Sequence, residues 1–334
     1  MDIRLHLDDA DASHTVSTGH LPDPDRVRRL VDEAWARYAP ISEGKVADYI
    51  PALASAAPDL FGLCVASVDG AIYQVGDAER PFSIQSMSKP FVFALVCQAL
   101  GGGQAREKIG VNATGLAFNS VMAIELNADR TMNPMVNAGA IATTSLAPGG
   151  NAEEKWKFIR DGLSRFAGRE LEMDQEVYAS EAATNQRNQG IARLLLGYGR
   201  MYSDPDEATD IYTRQCALNV TARDMAVMGA TLADGGVNPV TRERVMDADR
   251  CARVLAVMAT AGLYEQSGDW LYEVGLPGKS GVAGGIVTIA PGKGGLGTFS
   301  PPLDEAGNSV RGQLATKFLS ERLGLNLFAS KPEI

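Results

Sequence analysis

Ser86-Met87-Ser88-Lys89-Pro90-Phe91-Val92-Phe93-Ala94-Leu95-Val96 is the stretch on which the reading of this chain turns. It places a hydroxyl and an amine three residues apart at the head of an apolar run. On a helix, positions i and i+3 share a face, so Ser86 is a candidate nucleophile with Lys89 as its base. Pro90 fixes where the helix starts. Its missing N–H is the one that would pair with the Ser86 carbonyl, and that loss is cheap only in a first helical turn. Ser86 is therefore predicted at or next to a helix N-terminus, where free N–H groups and the dipole favour an oxyanion. Lys89 would need burial to bring it down from an ordinary value of about 10.4. Taken alone, the tetrapeptide reads more readily as an N-cap serine followed by a surface lysine.

Two further facts sharpen the choice. His6, His14 and His20 are the only histidines, so no imidazole is at hand in the rest of the chain and lysine is the obvious substitute base. A second S-x-x-K, Ser42-x-x-Lys45, runs into Asp48-Tyr49-Ile50-Pro51, where the proline limits a preceding helix.

Composition bounds the rest. The chain has 334 residues, 45% hydrophobic and 22% charged, with 35 glycines, an ordinary globular profile. Its net charge of −10 argues against nucleic-acid binding, since there is no basic excess to meet phosphates. Cys64, Cys97, Cys216 and Cys251 form no C-x-x-C pair, so zinc and iron–sulfur sites are disfavoured and no metal or cofactor is expected. The first residues carry no apolar leader, and no apolar run is long enough to span a bilayer. A cytoplasmic protein without membrane contact is expected.

Along the chain, residues 1–22 read as a polar, flexible extension and 23–328 as one domain. Asp23-Pro24 starts a helix whose apolar stripe is Val27, Leu30, Val31, Ala34, Trp35 and Tyr38. Residues 61–76 read as a hairpin about Asp69-Gly70. The Ser86 helix should stop at Gly101-Gly102-Gly103. Helices dominate the middle: a stripe of Trp156, Ile159, Leu163 and Phe166, a helix from about Ser180 to Leu196, a capping box at Thr221 and Asp224, and a further start near Asp249. Strands return at 285–290 and 295–299, followed by a helix from about Asn308 to Leu323. Strands at both ends with helices between predict an α+β fold. One lobe would take residues 23–100 and 265–328, and a helical lobe 101–264.

Several polar groups suit a pocket. Gly278-Lys279-Ser280-Gly281 fails the P-loop pattern, because Glu273 stands where a glycine is required, but a K-[ST]-G strand is the second hallmark of S-x-x-K enzymes. Glu181 and Asn188 are seven apart, which on one helix places them on one face, able to hold an ammonium and a carboxylate, though Glu181 also reads as a simple complement to the helix dipole. Asn133-Pro134-Met135-Val136-Asn137-Ala138-Gly139-Ala140 sets amides in an apolar surround, and Tyr212 and Tyr264 stand near loop signals.

These residues, with Gly44 to Pro51, Phe82 to Lys89, Gly229 to Pro239 and Leu276 to Gly285 in collinear order over about 25–325, resemble the serine-dependent bacterial glutaminases, whose fold is that of β-lactamases and penicillin-binding proteins. The resemblance implies a β-lactamase-like α+β fold, a central antiparallel sheet flanked by helices with an inserted helical lobe. It implies hydrolysis of L-glutamine to L-glutamate and ammonia through a Ser86 acyl-enzyme, with Lys89 as base; Tyr264 is the candidate proton carrier to the leaving ammonia, with Tyr212 the alternative. It puts Tyr49, Gln85, Asn137, Glu181, Asn188, Tyr212, Tyr264 and the backbone of Val282 among the substrate contacts, and a homo-oligomer, dimer or tetramer, among the expectations. Gly278 and Ala283 depart mildly from the family pattern of Ala and Gly. A penicillin-reactive serine hydrolase and a non-catalytic amino-acid-binding protein are the rival readings of the same residues.

Overall fold

The computed structural model describes residues 19–330 apart from Tyr49 and Thr131. The predicted N-terminal extension therefore falls, over residues 1–18, outside the described residues, as does Tyr49.

The hairpin forms as expected. Strand β1 (Gly62–Ser67) pairs antiparallel with β2 (Ile72–Gly76), Ala66 facing Ile72 across a turn that contains Gly70 at φ +97°. A short β3 (Phe82–Ser83) pairs with β4 (Asn219–Val220), tying the two ends of the helical segment together. The C-terminal strands β5 (Gly278–Gly281), β6 (Gly285–Ala290) and β7 (Gly294–Phe299) complete an antiparallel sheet of order β2-β1-β7-β6-β5.

Side-chain alternation gives this sheet two different faces. Leu63, Val65, Ile286 and Leu296 point toward helix α1 (Pro24–Tyr38), with Trp270 and Phe318 in the same core. Asp23 caps α1 through the Asp25 N–H, and Pro24 takes the first turn. On the opposite face, where Val287, Ile289 and Phe299 enter a second core, the middle of β7 is bare of side chains at Gly295 and Gly297. A Cβ on Gly295 would lie 2.2 Å from Ala226 O, and one on Gly297 would lie 1.9 Å from Ala222 O. That is why this strand is glycine-rich: a helix, Ala222–Ala233, lies directly on its backbone. The predicted Thr221–Asp224 capping box starts that helix.

The helix that carries the opening motif, α2 (Ser88–Leu100), is buried from Ser88 through Cys97. An all-round apolar helix belongs at the centre of a fold, and α2 is packed among other helices on several sides. Of these, α3 (Asn137–Ser145), α4 (Ala152–Ala167), α5 (Gln175–Thr184), α6 (Gln186–Gly197) and α7 (Pro205–Cys216) build the helical part. The Trp156, Ile159, Leu163 and Phe166 stripe of α4 is buried as the periodicity predicts.

Four expectations need correction. The predicted Ser180–Leu196 helix is two helices, α5 and α6, parted at Asn185. The Asn185 side chain holds the break, donating to Thr213 Oγ1 at 3.3 Å and accepting from Gln189 Nε2 at 2.7 Å. Tyr212 is not near a loop but within α7. The helix placed near Asp249 runs Ala248–Ala261, with Asp247 before it. The last helix begins at Val310, where Ser309 accepts from the Gly312 N–H, two residues after Asn308.

Candidate active site

Ser86 lies in a single 3-10 turn, Gln85–Met87, that runs directly into α2, so the nucleophile candidate stands where the proline spacing places it. Its side chain is 8% exposed and lines a cavity of about 270 Å³. Gln85, immediately before it, is left-handed at φ +49°. A non-glycine residue held there costs about 1–3 kcal/mol, a strain that collects at functional positions. The Gln85 amide donates to Ser83 Oγ and to Glu181 Oε2, both at 3.3 Å.

Lys89, one turn on, is 1% exposed. Its Nζ donates to Asn137 Oδ1 at 2.7 Å and to Met135 O at 3.3 Å. No hydrogen bond joins it to Ser86 Oγ in this arrangement. Burial lowers its pKa to about 8, with Cys216 and Glu181 opposing that fall. Asn137 also donates to Asn188 Oδ1 at 3.1 Å and accepts from the Tyr212 hydroxyl at 3.3 Å. One amide thus ties α2, α3, α6 and α7 at a single point. Burial pushes the Tyr212 phenol well above its ordinary value.

Glu181 lines the same cavity and has no cation within ion-pair distance among the described residues. Burial raises its pKa to about 7, while the Gln85 hydrogen bond and Lys89 pull the other way. Glu181 and Asn188 were expected on one helix face. They stand instead on consecutive helices, and the Asn185 break turns both toward the cavity.

Val282, which directly follows strand β5, lines the cavity as well. A Cβ on Gly281 would lie 3.1 Å from Ile84 O, so the strand runs closely past the turn that bears Ser86. Lys279 is fully buried, donates to Ser280 O at 2.8 Å and sits 4.2 Å from the Tyr264 ring centroid. Burial, then the neighbouring Lys89, drives it well below the usual lysine range. At Gly278, where the family pattern has Ala, a Cβ would lie 2.9 Å from the Trp270 ring.

Of the residues singled out from sequence, Gln85, Ser86, Asn137, Glu181, Asn188, Tyr212 and Val282 line one cavity. Lys89 and Lys279 lie behind its wall. Tyr264, left-handed at φ +52°, borders a neighbouring cavity of about 190 Å³. Its ring packs on Phe118 at 4.7 Å between centroids, and Phe118 lines both spaces. Its hydroxyl donates to Ser280 O at 3.2 Å. Tyr49 lies outside the described residues, although Ile50 beside it lines the cavity. Sequence reasoning passed over Phe118, Asn119, Thr184, Asn185 and Arg187 as lining residues. Arg187 donates to Asn119 O at 2.9 Å. The alternative pair Ser42 and Lys45 is exposed.

Among the described residues no three His, Cys, Asp or Glu side chains gather as a metal site would need, and no helix is long and apolar enough to cross a membrane. All four cysteines are buried and unpaired, and burial holds the Cys97 and Cys251 thiols up at about 12.

A serine just ahead of a buried helix, a lysine one turn on, and a K-S-G strand at the edge of an antiparallel sheet are the arrangement of the β-lactamase-like fold. The comparisons narrow that fold class. The Glutaminase family model matches residues 44–328, and the chain belongs to that family. It is 64% identical over 317 residues to Glutaminase 2 of Yersinia pestis, covering 95% of this chain and 93% of that one. It is 51% identical to a glutaminase of Colwellia psychrerythraea, over 92% of this chain and 99% of that one. The solved structure of a probable glutaminase, ybaS, superposes with a TM-score of 0.91 at 45% identity, covering 92% of this chain and all of that chain. Mglu in its glutamate form superposes at 0.85 with 41% identity, over 93% of this chain and 71% of that one. The fold is β-lactamase-like, and the protein is an amidohydrolase that acts on glutamine.

Proposed function

We propose that glutamine is hydrolysed through a Ser86 acyl-enzyme with Lys89 as the base. The observation that carries this reading is a lysine 1% exposed and lowered to about 8, one helical turn from a serine facing the cavity. Neutral Lys89 takes the Ser86 proton, and Ser86 Oγ attacks the side-chain amide carbon. The N–H groups of Ser86 and Val282 hold the oxyanion; one such donor is worth about 10²–10³ in rate. The C–N bond then breaks, nitrogen leaves as ammonia with a proton carried by Tyr264, and a γ-glutamyl ester remains. Water cleaves the ester, returning the Ser86 proton and releasing glutamate.

Glu181 binds the substrate α-ammonium, steadied by Gln85. Asn137, Asn188, Tyr212 and Tyr49 meet the remaining polar ends. A relative solved in its glutamate form supports a cavity that admits the product. We assign residues 23–328 to one two-lobed domain with a short N-terminal extension, working in the cytoplasm as a homodimer or homotetramer. These assignments rest on the family resemblance.

The test is Ser86→Ala. The variant should fold and release no ammonia from glutamine, and a γ-electrophilic glutamine mimic such as diazo-oxo-norleucine should label Ser86 of the parent. Undiminished turnover in Ser86→Ala, or labelling at another side chain, ends the assignment.

A further inference from the structure

We infer that Ser88, the unassigned position inside the S-x-x-K motif, is a positioning residue that holds Gln85 in its left-handed conformation and thereby aims the site. Ser88 is fully buried, and its Oγ donates to Gln85 O at 2.8 Å. The Ser88 N–H reaches the same carbonyl, so two donors of one residue grip it. Ser88 Oγ in turn accepts from Gln215 Nε2 at 3.3 Å, and Gln215 Oε1 accepts from Thr144 Oγ1 at 3.1 Å. The clamp is therefore anchored to α7 and α3 and does not hang on its own helix alone.

The clamp acts on a residue with two tasks. The Gln85 backbone delivers the chain into Ser86, and its side-chain amide holds Glu181 Oε2 at 3.3 Å. An L-residue at φ +49° relaxes toward negative φ when it is not held. Such relaxation would turn the Ser86 N–H and withdraw the amide from Glu181 together. Ser86 Oγ and the carboxylate would be misaimed even though both side chains remain. Serine often bonds back to a carbonyl in its own helix with no consequence beyond local structure. The distinguishing feature here is that the accepting carbonyl belongs to a strained residue outside α2, next to the nucleophile.

This inference rests on the Ser86 reading, and the experiment separates the two. Ammonia release is measured for Ser88→Ala and for Ser88→Cys, which keeps the shape and loses the strong donor, each in the parent and in a Gln85→Gly background. Glycine adopts positive φ without strain, so the clamp should be dispensable there. We expect both Ser88 variants to lose about 10- to 100-fold in kcat/KM, the scale of a misplacement near 1 Å. In the Gln85→Gly background the same substitutions should cost less than about threefold. Where Gln85→Gly turns over too slowly, the rate of labelling by diazo-oxo-norleucine replaces turnover. If Ser88→Ala does not fold, Ser88→Cys carries the test. A Ser88→Cys enzyme within about threefold of the parent, or an equal loss in both backgrounds, overturns the assignment. Ser86→Ala run alongside marks the other failure: if it is active, the nucleophile reading falls, and not only that of Ser88.

Discussion

Replacing Glu181 by Gln should trade activity for stability, and the trade distinguishes a binding carboxylate from a structural one. Glu181 lines the cavity, accepts from Gln85 at 3.3 Å and has its pKa raised by burial to about 7. An acid whose folded pKa lies above its unfolded one favours folding only while neutral. Its contribution is full below the unfolded value of 4.5 and is gone once pH has risen through about 7. At pH 8 the ionised carboxylate is therefore a burden that a neutral amide does not carry, so Glu181→Gln should melt at a higher temperature than the parent. The difference should close as pH falls toward 4.5. Activity should move the other way. Truncating one partner of a desolvated ion pair costs about 2–5 kcal/mol, and each 1.4 kcal/mol is about tenfold. KM for glutamine should therefore rise from about 30-fold to a few thousand-fold. The assays are ammonia release at pH 8 and thermal melts at pH 5 and pH 8. An N-acylated glutamine lacks the cation, and its turnover should scarcely distinguish parent from variant. An unchanged KM would refute the ammonium assignment. A lower melting temperature at pH 8 would refute the account of Glu181 as a desolvated acid without a cation partner.

Two further outcomes follow. The acid limb of kcat/KM should reflect two deprotonations, Glu181 near 7 and Lys89 near 8, both needed in the unprotonated form, so activity falls as pH drops through that range. The limb of kcat should lie at lower pH, because a bound ammonium favours ionised Glu181 and neutral Lys89; coincident limbs in a full pH profile would contradict this. Gly139→Ala should lower the melting temperature by several degrees, since its Cβ would lie 1.9 Å from Asn133 O and overpacking costs about 1–3 kcal/mol. Scanning fluorimetry showing no change would mean that the Asn133–Pro134 loop yields freely.

What was legible in the sequence was whatever local chemistry decides. Pro90 located the start of α2, Asp69-Gly70 located the hairpin turn, and the Thr221–Asp224 pair located a helix start to the residue. Each is a constraint that a few neighbouring atoms enforce. The break at Asn185 was not legible, because it is enforced by Thr213, 28 positions away on another helix. Tyr212 was misjudged for a similar reason: its hydroxyl meets Asn137 only after α3 and α7 have packed. Asn119 and Phe118 sit in a segment without periodicity, and Arg187, although on α6, is a polar residue whose sequence pattern does not mark a cavity wall. The burial of Lys279 was likewise invisible, since a Gly-rich hairpin with an exposed lysine has the same local pattern.

On the proposed mechanism, the absence of histidine from the site among the described residues sets a demand on the fold. Imidazole titrates near neutrality unaided, whereas lysine must be brought down from 10.5 to about 8 by removing water. Helix α2 meets that demand by being apolar on every side, so Lys89 leaves its backbone inside the core and reaches the cavity wall from behind. Desolvation of a charge is costly, and the Asn137 acceptor at 2.7 Å keeps the ammonium form tolerable without restoring its full basicity. Lys279 shows the other limit of the same physics. It has no comparable side-chain acceptor, lies against a phenol ring, and is driven lower still by Lys89. Two lysines share one buried region, and burial lowers both, with Cys216 and Glu181 opposing the fall at Lys89 while Lys89 adds to it at Lys279. The Asn137 amide that accepts from Lys89 is also the one that ties Asn188 and Tyr212 to the cavity, so the seat of the lysine and the shape of the cavity meet at one residue.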